Sequence, residues 1–239
     1  MKVFKAVVAL AAVAAALAIA PSASAKPAPP EEPGGSVQII GGGTYNQNAP
    51  WAARLFLNGT QNCTATLIAP RYVLTARHCV GGSLSFRIGS LDQTTGGTIA
   101  YGSQTTTHSA ADLAIVRLDR AVNNTPSPLG TTADVAVNQY VSVLGWGATC
   151  TNQAEINCQS RYLKVATVRV ATVNDRDYFG GVGVGAYWYN GITAGGDSGG
   201  PMFASGRQVG VASTSNRSDY TTYTNITRYR SWIQSVAGV

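Results

Sequence analysis

A serine in a glycine-rich turn is the residue of this sequence best suited to nucleophilic chemistry. Ser198 lies in the segment Gly196-Asp197-Ser198-Gly199-Gly200-Pro201. Flanking glycines allow a tight turn that exposes the hydroxyl, and they let a substrate carbonyl approach the backbone closely. The pattern Gly-x-Ser-x-Gly also fits the nucleophile elbow of an α/β-hydrolase, and an ordinary glycine-rich turn would explain it without any chemistry.

The order of residues along the chain decides between these mechanisms. A serine nucleophile needs a base, usually a histidine. The chain has two histidines, His78 and His108, and both precede Ser198. An α/β-hydrolase has its histidine last, and the subtilisin order needs an acid before the histidine, whereas residues 39–77 contain no Asp or Glu. The remaining order is histidine, acid, serine.

The local context selects the base and the acid. His78 follows an apolar run and precedes Cys79, whose disulfide would hold the imidazole within reach of the hydroxyl. His108 lies in a run of Thr and Ser that is typical of a surface loop. Asp112 opens an apolar segment, where a carboxylate is costly unless it is paired. We therefore predict a catalytic triad of His78, Asp112 and Ser198. The acids in polar, turn-like or ordinary surface contexts are Asp92, Asp119 and Asp134.

Short strands must position these residues. Hydrophobic residues make up 45% of the chain and charged residues 12%, which is enough to bury a substantial core. Apolar runs rich in Val, Thr and Tyr alternate with turn signals, and this favours an all-β barrel or sandwich. Tyr229, Trp232, Ile233 and Val236 form one apolar stripe that predicts a C-terminal helix, with Thr227 as its cap. The predicted strands cover 52–57, 65–68, 72–75, 84–88, 113–118, 140–144, 163–173, 208–212 and 221–226.

The N-terminus resembles a targeting signal. Lys2 and Lys5 precede an apolar run over residues 6–20, and Ala23-Ser24-Ala25 fits a cleavage site. The alternative is a membrane anchor, but the run is shorter than the roughly 20 residues that a spanning helix needs. We predict a signal peptide over 1–25, a Pro- and Glu-rich pro-segment over 26–38, and secretion to the extracellular space.

An exported chain with an even number of cysteines is expected to contain disulfides. The four cysteines allow three pairings, and a metal site is the weaker alternative because no Cys-x-x-Cys pair occurs. We expect no metal and no cofactor. The net charge is +6, but the arginines are scattered, so neither nucleic acid nor a membrane is an expected partner.

Six segments, in order and in register, resemble the trypsin/chymotrypsin-like serine proteases. The resemblance covers nearly all of residues 39–239. The short chain and few disulfides resemble a bacterial secreted member. The segments are Ile39-Ile40-Gly41-Gly42, Thr75-Ala76-Arg77-His78-Cys79, Asp112-Leu113-Ala114-Ile115-Val116, Gly145-Trp146-Gly147, Gly196 to Pro201 and Tyr223-Thr224-Asn225-Ile226.

The resemblance implies two six-stranded antiparallel β-barrels, over about 39–124 and 125–239. It implies an oxyanion hole formed by the backbone N–H groups of Gly196 and Ser198, and a role for Ser213 beside the catalytic acid and the substrate. It also implies that cleavage after Gln38 frees the Ile39 ammonium to pair with Asp197. A Cys63–Cys79 disulfide matches one of the family, which leaves Cys150 to pair with Cys158.

The same resemblance implies the substrate pocket. Ile192, six positions before Ser198, stands where trypsins carry an Asp, so Arg and Lys would find no counter-charge. Ser215 and Thr221 stand where wide-pocket members carry Gly. We therefore expect a small or aliphatic residue before the scissile bond. Arg77 replaces a small residue of the family. Contact with the substrate on the leaving-group side and a solvated surface position are the alternatives, and we expect the second. The chain lacks the acidic cluster of a Ca²⁺ site.

The resulting prediction is a secreted serine endopeptidase that acts through an acyl-enzyme intermediate. Its expected partners are protein or peptide substrates and protein inhibitors of proteases, and a monomer is the expected state. A non-catalytic binding protein on the same scaffold and an esterase are the alternatives.

Overall fold

The computed structural model describes Met1 and residues 40–239. Apart from Met1, the predicted signal peptide, the pro-segment and Ile39 lie outside these residues. The strands are β1 (Gly43–Thr44), β2 (Ala52–Leu57), β3 (Thr60–Ala69), β4 (Tyr72–Thr75), β5 (Leu84–Ile88), β6 (Thr98–Thr107), β7 (Ala114–Leu118), β8 (Tyr140–Gly145), β9 (Lys164–Arg176), β10 (Val182–Trp188), β11 (Pro201–Ala204), β12 (Arg207–Ser215) and β13 (Tyr220–Asn225), and α1 is Arg230–Ala237.

The first barrel closes in the strand order β2-β3-β4-β7-β6-β5. Its first hairpin turns at Asn58 and Gly59, whose φ angles of 51° and 81° suit the tight turn between twisted antiparallel strands. The register of β4 against β7 places Thr75 opposite Ala114. The end of β4 and the start of β7 therefore lie at the same edge of the barrel. Leu55, Phe86 and similar side chains fill its interior.

The second barrel follows the order β9-β10-β13-β12-β11-β8, and pairing of β8 with β9 closes it. Its core is lined by valines such as Val143 and Val184 together with the fully buried Tyr223. Both barrels therefore have six antiparallel strands, and the predicted all-β fold is confirmed.

The terminal segments of the described chain cross between the barrels. β1 pairs with β9 of the second barrel, whereas Ile233 and Ala237 of α1 belong to the core of the first barrel. The apolar stripe correctly predicted this helix. The predicted cap is wrong, because the helix begins after Tyr229 and the Thr227 hydroxyl donates to Asn225 at 2.6 Å.

Four strands were not predicted from the sequence, and one of them is the two-residue β1. Most of β6 is exposed, and its polar run Gly-Ser-Gln-Thr-Thr-Thr carries no apolar alternation. Gly183 and Gly185 interrupt the pattern in β10. β11 has four residues and follows the nucleophile turn directly. Among the described residues, no helix is long and apolar enough to cross a membrane.

Candidate active site

His78 and Asp112 form a hydrogen-bonded pair at the shared edge of β4 and β7. His78 lies in a single 3-10 turn, Arg77–Cys79, that follows β4. A disulfide from Cys79 to Cys63 in β3 ties this turn to the barrel. Asp112 precedes β7, and its Oδ2 lies 2.7 Å from His78 Nδ1. The antiparallel register thus brings the two side chains together from positions 34 residues apart.

The Asp112 carboxylate is buried, but its oxygens are well supplied with donors. Its exposure is 0%. Oδ1 accepts the backbone N–H of His78 at 3.0 Å, and Oδ2 also accepts the Ser213 hydroxyl at 2.7 Å. A buried carboxylate with such partners stays oriented. It fixes the imidazole as well, whose side chain remains 28% exposed toward the cleft.

A second buried acid, Asp177, lies behind Asp112 and was missed in the sequence analysis. Its Oδ2 accepts the Asp112 N–H at 2.9 Å and the Thr224 hydroxyl at 2.9 Å. Its Oδ1 accepts the N–H groups of Phe179 at 3.0 Å and Gly181 at 2.7 Å. Asp177 therefore joins the turn between β9 and β10 to the backbone of the predicted catalytic acid.

The turn that carries Ser198 is fixed on both sides. The Ser198 carbonyl accepts the Thr64 N–H of β3 at 2.8 Å, and the Gly199 N–H donates to Ala212 of β12 at 2.9 Å. Gly196 has φ of +102°, and a Cβ there would lie 2.7 Å from Gln159 Nε2. Only glycine fits this backbone without strain. Within residues 40–239, the Gly196 and Ser198 N–H groups have no acceptor in the protein.

Asp197 points away from the cleft into the second barrel. Its Oδ1 accepts the Gly147 N–H at 2.7 Å, and its Oδ2 accepts the Ala194 N–H at 3.0 Å. Burial raises the pKa of Asp197 to about 6, although these hydrogen bonds and the charge of Arg54 lower it. A Cβ on Gly147 would lie 2.1 Å from the Asp197 carboxylate, which explains the glycine in Gly145-Trp146-Gly147.

His78 and Ser198 line one cleft between the barrels, with a cavity volume of about 380 Å³. The Tyr178 ring faces His78 edge-on at 6.1 Å between centroids. The backbone N–H of Tyr178 donates to Ser213 Oγ at 3.0 Å. The Arg217 guanidinium is paired with Glu155, at 2.5 Å. The lining residues are His78, Tyr178, Thr193, Ala194, Ser198, Ala212, Ser213, Thr214, Ser215 and Arg217.

Comparison with known proteins identifies the family of this chain. A family model described as Trypsin matches residues 38–233. Achelase-1 of Lonomia achelous is 31% identical over 234 residues, which cover 85% of this chain and 99% of that protein. The chain belongs to the trypsin family. Trypsin alpha of Drosophila melanogaster is 26% identical over 224 residues, covering 84% of this chain and 88% of that protein.

Solved structures agree with this assignment. Neuropsin, a serine protease of mouse brain, matches with a TM-score of 0.67 and 28% identity, covering 78% of this chain and 94% of that chain. An inactivated protease paralogue of the scabies mite matches with a TM-score of 0.72 and 21% identity, over 84% and 97% of the two chains, and shows the fold alone. The chain is accordingly a trypsin-family serine peptidase, a hydrolase.

The cleft of this trypsin-family chain differs in part from the pocket that the resemblance implied. Ser213 and Ser215 line the cleft. Ile192 and Thr221 are 0% and 1% exposed and lie behind the lining. Thr193 is one of the lining residues, and its hydroxyl lies 2.7 Å from that of Thr221. Counting back from Ser198 therefore reached the right segment, but Thr193 and Ala194 line the cleft and Ile192 does not.

The contacts of His108 and of the four cysteines indicate structural roles. His108 packs edge-on against Tyr229 and Trp232, at 4.9 and 5.2 Å between ring centroids, and burial lowers its pKa. Cys63 pairs with Cys79 and Cys150 with Cys158, as the resemblance implied. Cys63, His78 and Cys79 also lie close enough together to hold an ion, but both sulfurs are in a disulfide and cannot act as thiolate ligands.

Arg77 packs over an aromatic ring and against the His108 loop. Its guanidinium lies 4.2 Å from the centroid of Phe179 and donates to the carbonyls of His108 and Ser109. The expectation of a freely solvated side chain is therefore wrong, because the aromatic turn between β9 and β10 gives the cation a partner.

Proposed function

We propose that this trypsin-family peptidase is a secreted endopeptidase in which Ser198, His78 and Asp112 hydrolyse peptide bonds through an acyl-enzyme. The observation that carries the proposal is the chain of contacts from Ser213 through Asp112 to His78, beside Ser198 in the same cleft. The family assignment supports the reaction class.

The hydrogen bonds around His78 favour one tautomer. Because Asp112 Oδ2 accepts at Nδ1, the proton of the neutral ring lies on Nδ1, and Nε2 has a free lone pair. Nε2 would take the Ser198 proton as the hydroxyl attacks the substrate carbonyl, and would return it to the leaving amine. Asp112 remains ionised and stabilises the imidazolium. Water then repeats the sequence on the acyl-enzyme.

The oxyanion of the tetrahedral intermediate needs donors that are aimed before the reaction begins. The N–H groups of Gly196 and Ser198 have no acceptor within residues 40–239, which suits them to this role. Loss of one such donor costs roughly 2.7–4 kcal/mol of transition-state stabilisation.

Activation would follow cleavage after Gln38. Ile40 already pairs with Ile192, whose N–H donates to the Ile40 carbonyl at 2.8 Å. This pairing holds the segment after the cleavage point against the second barrel. The Ile39 ammonium would then supply the buried Asp197 carboxylate with a charged partner, which a buried charge requires.

The cleft favours a small or aliphatic residue before the scissile bond. None of its lining residues is an acid, so an Arg or Lys side chain would lack a counter-charge. The Thr193–Thr221 pair and Ser215 restrict its depth and width. Discrimination between residues that differ by one methylene is worth about 1–3 kcal/mol, so this preference is graded.

Secretion, the bacterial likeness and the partners remain predictions from the sequence. The signal-like segment 1–25 supports export, and N-terminal sequencing of protein recovered from the medium would test it. The relatives named above include insect and mouse proteins and do not bear on a bacterial source. Protein inhibitors of proteases as partners and a monomeric state are expectations from the family resemblance.

The test uses protein that begins at Ile39 beside its Ser198→Ala twin. Both are incubated with a mixed peptide library, and products are read by mass spectrometry. We expect cuts after Ala, Val and similar residues that the twin does not make. Cuts after Arg or Lys would disprove the pocket assignment. Cleavage of an ester substrate in a parallel assay, without any cut in the peptide library, would favour an esterase. No cleavage of either by a correctly processed chain would favour a binding protein.

A pocket variant sharpens the specificity test. Ser215→Gly removes a side chain from the cleft wall, and we expect it to increase cleavage after larger residues such as Phe. Ser218→Gly is the control, because Ser218 is exposed and does not line the cleft. Equal shifts in both variants would show that Ser215 does not restrict the pocket.

A further inference from the structure

Arg54 is a buried cation in the middle of β2. Its exposure is 0%. Nε donates to Gln93 Oε1 at 2.9 Å, one Nη donates to Cys63 O and Gly196 O at 3.3 and 3.1 Å, and the other Nη donates to Gln159 Oε1. No carboxylate oxygen among residues 40–239 lies within 4.0 Å of this guanidinium. Burying a charge on neutral partners is expensive, and it calls for an explanation.

One partner of Arg54, Gly196, lies on the turn that carries Ser198. The Gly196 carbonyl accepts from Arg54 and also from the Thr64 hydroxyl at 2.9 Å. Two anchors therefore fix the peptide unit between Gly196 and Asp197 from the side of the first barrel. The bond from Arg54 joins residues 142 positions apart, across the junction of the barrels.

Gln159 extends this hold to the preceding peptide unit. Its Oε1 accepts from Arg54, so its Nε2 is turned toward Gly195 O, at 3.3 Å. The same carbonyl accepts the Ala148 N–H at 2.9 Å. In a trans peptide the N–H points opposite to the C=O. Holding Gly195 O inward therefore directs the Gly196 N–H outward, toward the cleft.

The charges of Arg54 and Asp197 also favour this arrangement. The negative charge of Asp197 raises the pKa of Arg54, which burial lowers to about 10, and the positive charge of Arg54 lowers the pKa of Asp197. The two buried groups therefore stabilise each other's ionised forms, on either side of Gly196.

Given the acyl-transfer function proposed above, we propose that Arg54 is a positioning residue of the oxyanion hole. Through Gln159 it holds the Gly195–Gly196 peptide unit with its N–H toward the cleft, and through Gly196 O it fixes the peptide unit that follows. Arg54 does not touch the substrate, so its removal should weaken the transition state far more than ground-state binding.

The test compares Arg54→Met with Arg87→Met in protein that begins at Ile39. Arg87 is the cross-strand neighbour of Arg54 and donates to Gln93 O, but its contacts do not reach the nucleophile turn. We expect Arg54→Met to lower kcat about 30-fold, less than the 10²–10³-fold loss of a whole donor, with KM within about twofold. Arg87→Met should keep kcat within about twofold. An unchanged kcat in Arg54→Met would overturn the proposal.

Inhibitor binding separates positioning from general damage. A peptide boronate, which forms a tetrahedral adduct at Ser198, should lose affinity in Arg54→Met by about the same factor as kcat. A peptide acid that mimics the product should bind as before. Equal losses for both ligands would overturn the proposal, because they would indicate a distorted cleft rather than a misdirected N–H.

If Arg54→Met does not fold, Gln159→Met provides a second test of the same proposal, because Gln159 is only partly buried. We expect it to lower kcat about tenfold, and Arg54→Lys to recover part of the loss of Arg54→Met. If wild-type protein cleaved nothing, the proposed function would fail, but a crystal structure of Arg54→Met or Gln159→Met would still decide this role. A rotated Gly195–Gly196 peptide would support it, and an unchanged one would refute it.

Discussion

Replacing Asp177 with Asn should damage both stability and catalysis, although the two side chains have nearly the same shape. The carboxylate accepts four hydrogen bonds, two on each oxygen. An Asn oxygen can still accept from Phe179 and Gly181. Its NH₂ group would then face the Asp112 N–H, donor against donor, whereas the Thr224 hydroxyl can rotate and accept. One buried peptide N–H is left without an acceptor.

The expected magnitude follows from this count. A buried, unsatisfied donor costs about 1–3 kcal/mol, and bonds to a charged acceptor are the stronger kind. We expect Asp177→Asn to lower the free energy of unfolding by about 3 kcal/mol. With a urea m-value of about 2 kcal/mol/M, the unfolding midpoint falls by about 1.5 M. Because the lost bond ends at Asp112, kcat/KM for a peptide substrate should fall about tenfold.

Asp175→Asn is the matched control for this experiment. Asp175 lies in β9, two residues before Asp177, and accepts the hydroxyls of Tyr220 and Thr222, both at 2.8 Å, but it does not contact Asp112. Both hydroxyls can rotate to suit an amide. We expect a loss of less than about 1 kcal/mol and an unchanged kcat/KM. If the midpoint and kcat/KM of Asp177→Asn matched those of this control, the inferred link from Asp177 to Asp112 would be refuted.

Three further predictions concern the precursor, a disulfide and the cleft. The pKa of Asp197 is raised from 3.8 to about 6, so the full chain should lose about 3 kcal/mol of unfolding free energy as the pH rises from about 4 to about 6. Urea titrations of the full chain and of Asp197→Asn would contradict this if the difference between their unfolding free energies did not change with pH. Replacing Cys63 and Cys79 with Ala opens a loop with a sequence separation of 16 and should cost about 3 kcal/mol; an unchanged Tm would argue against it. Glu155→Gln leaves the Arg217 cation without its partner at the cleft. We expect kcat/KM for peptides with an acidic residue to rise up to about fivefold. Neutral peptides are the control, and an equal rise in their kcat/KM would contradict a role for the Arg217 charge.

The grouping of His78, Asp112 and Ser198 could be predicted from sequence because each of them lies in a short segment with a recognisable pattern. The glycines beside Ser198, the Cys after His78 and the apolar run after Asp112 each constrain one residue locally. Chain order then excludes the competing arrangements. The same reasoning predicted the barrel strands with apolar alternation, but it failed for β6, whose polar exposed face carries no such pattern.

The supporting residues could not be predicted because their partners are remote. Arg54 stands in an apolar strand, and sequence alone gives no reason to turn a guanidinium inward. Its acceptor Gly196 is 142 residues away. Asp177 lies 65 residues from Asp112 and has no motif around it. In the pocket, counting identified the segment that contains Ile192, but Thr193 is the side chain that faces the cleft.

The buried charges around the nucleophile turn share one physical feature. Asp112, Asp177, Asp197 and Arg54 are each at most 5% exposed, and their hydrogen-bond partners are mostly peptide groups, hydroxyls, side-chain amides and an imidazole. Such dipoles are fixed by the two barrels, so they need not reorganise when charge develops in the cleft. In a low-dielectric interior, the same burial makes every missing partner costly. An apolar replacement that matched the volume of one of these groups would remove its desolvation cost, but it would leave the hydrogen-bond partners of that group buried and unpaired and would leave the Ser198 turn less constrained. These buried groups lower the stability at the junction of the barrels, but their hydrogen bonds give the turn a single arrangement.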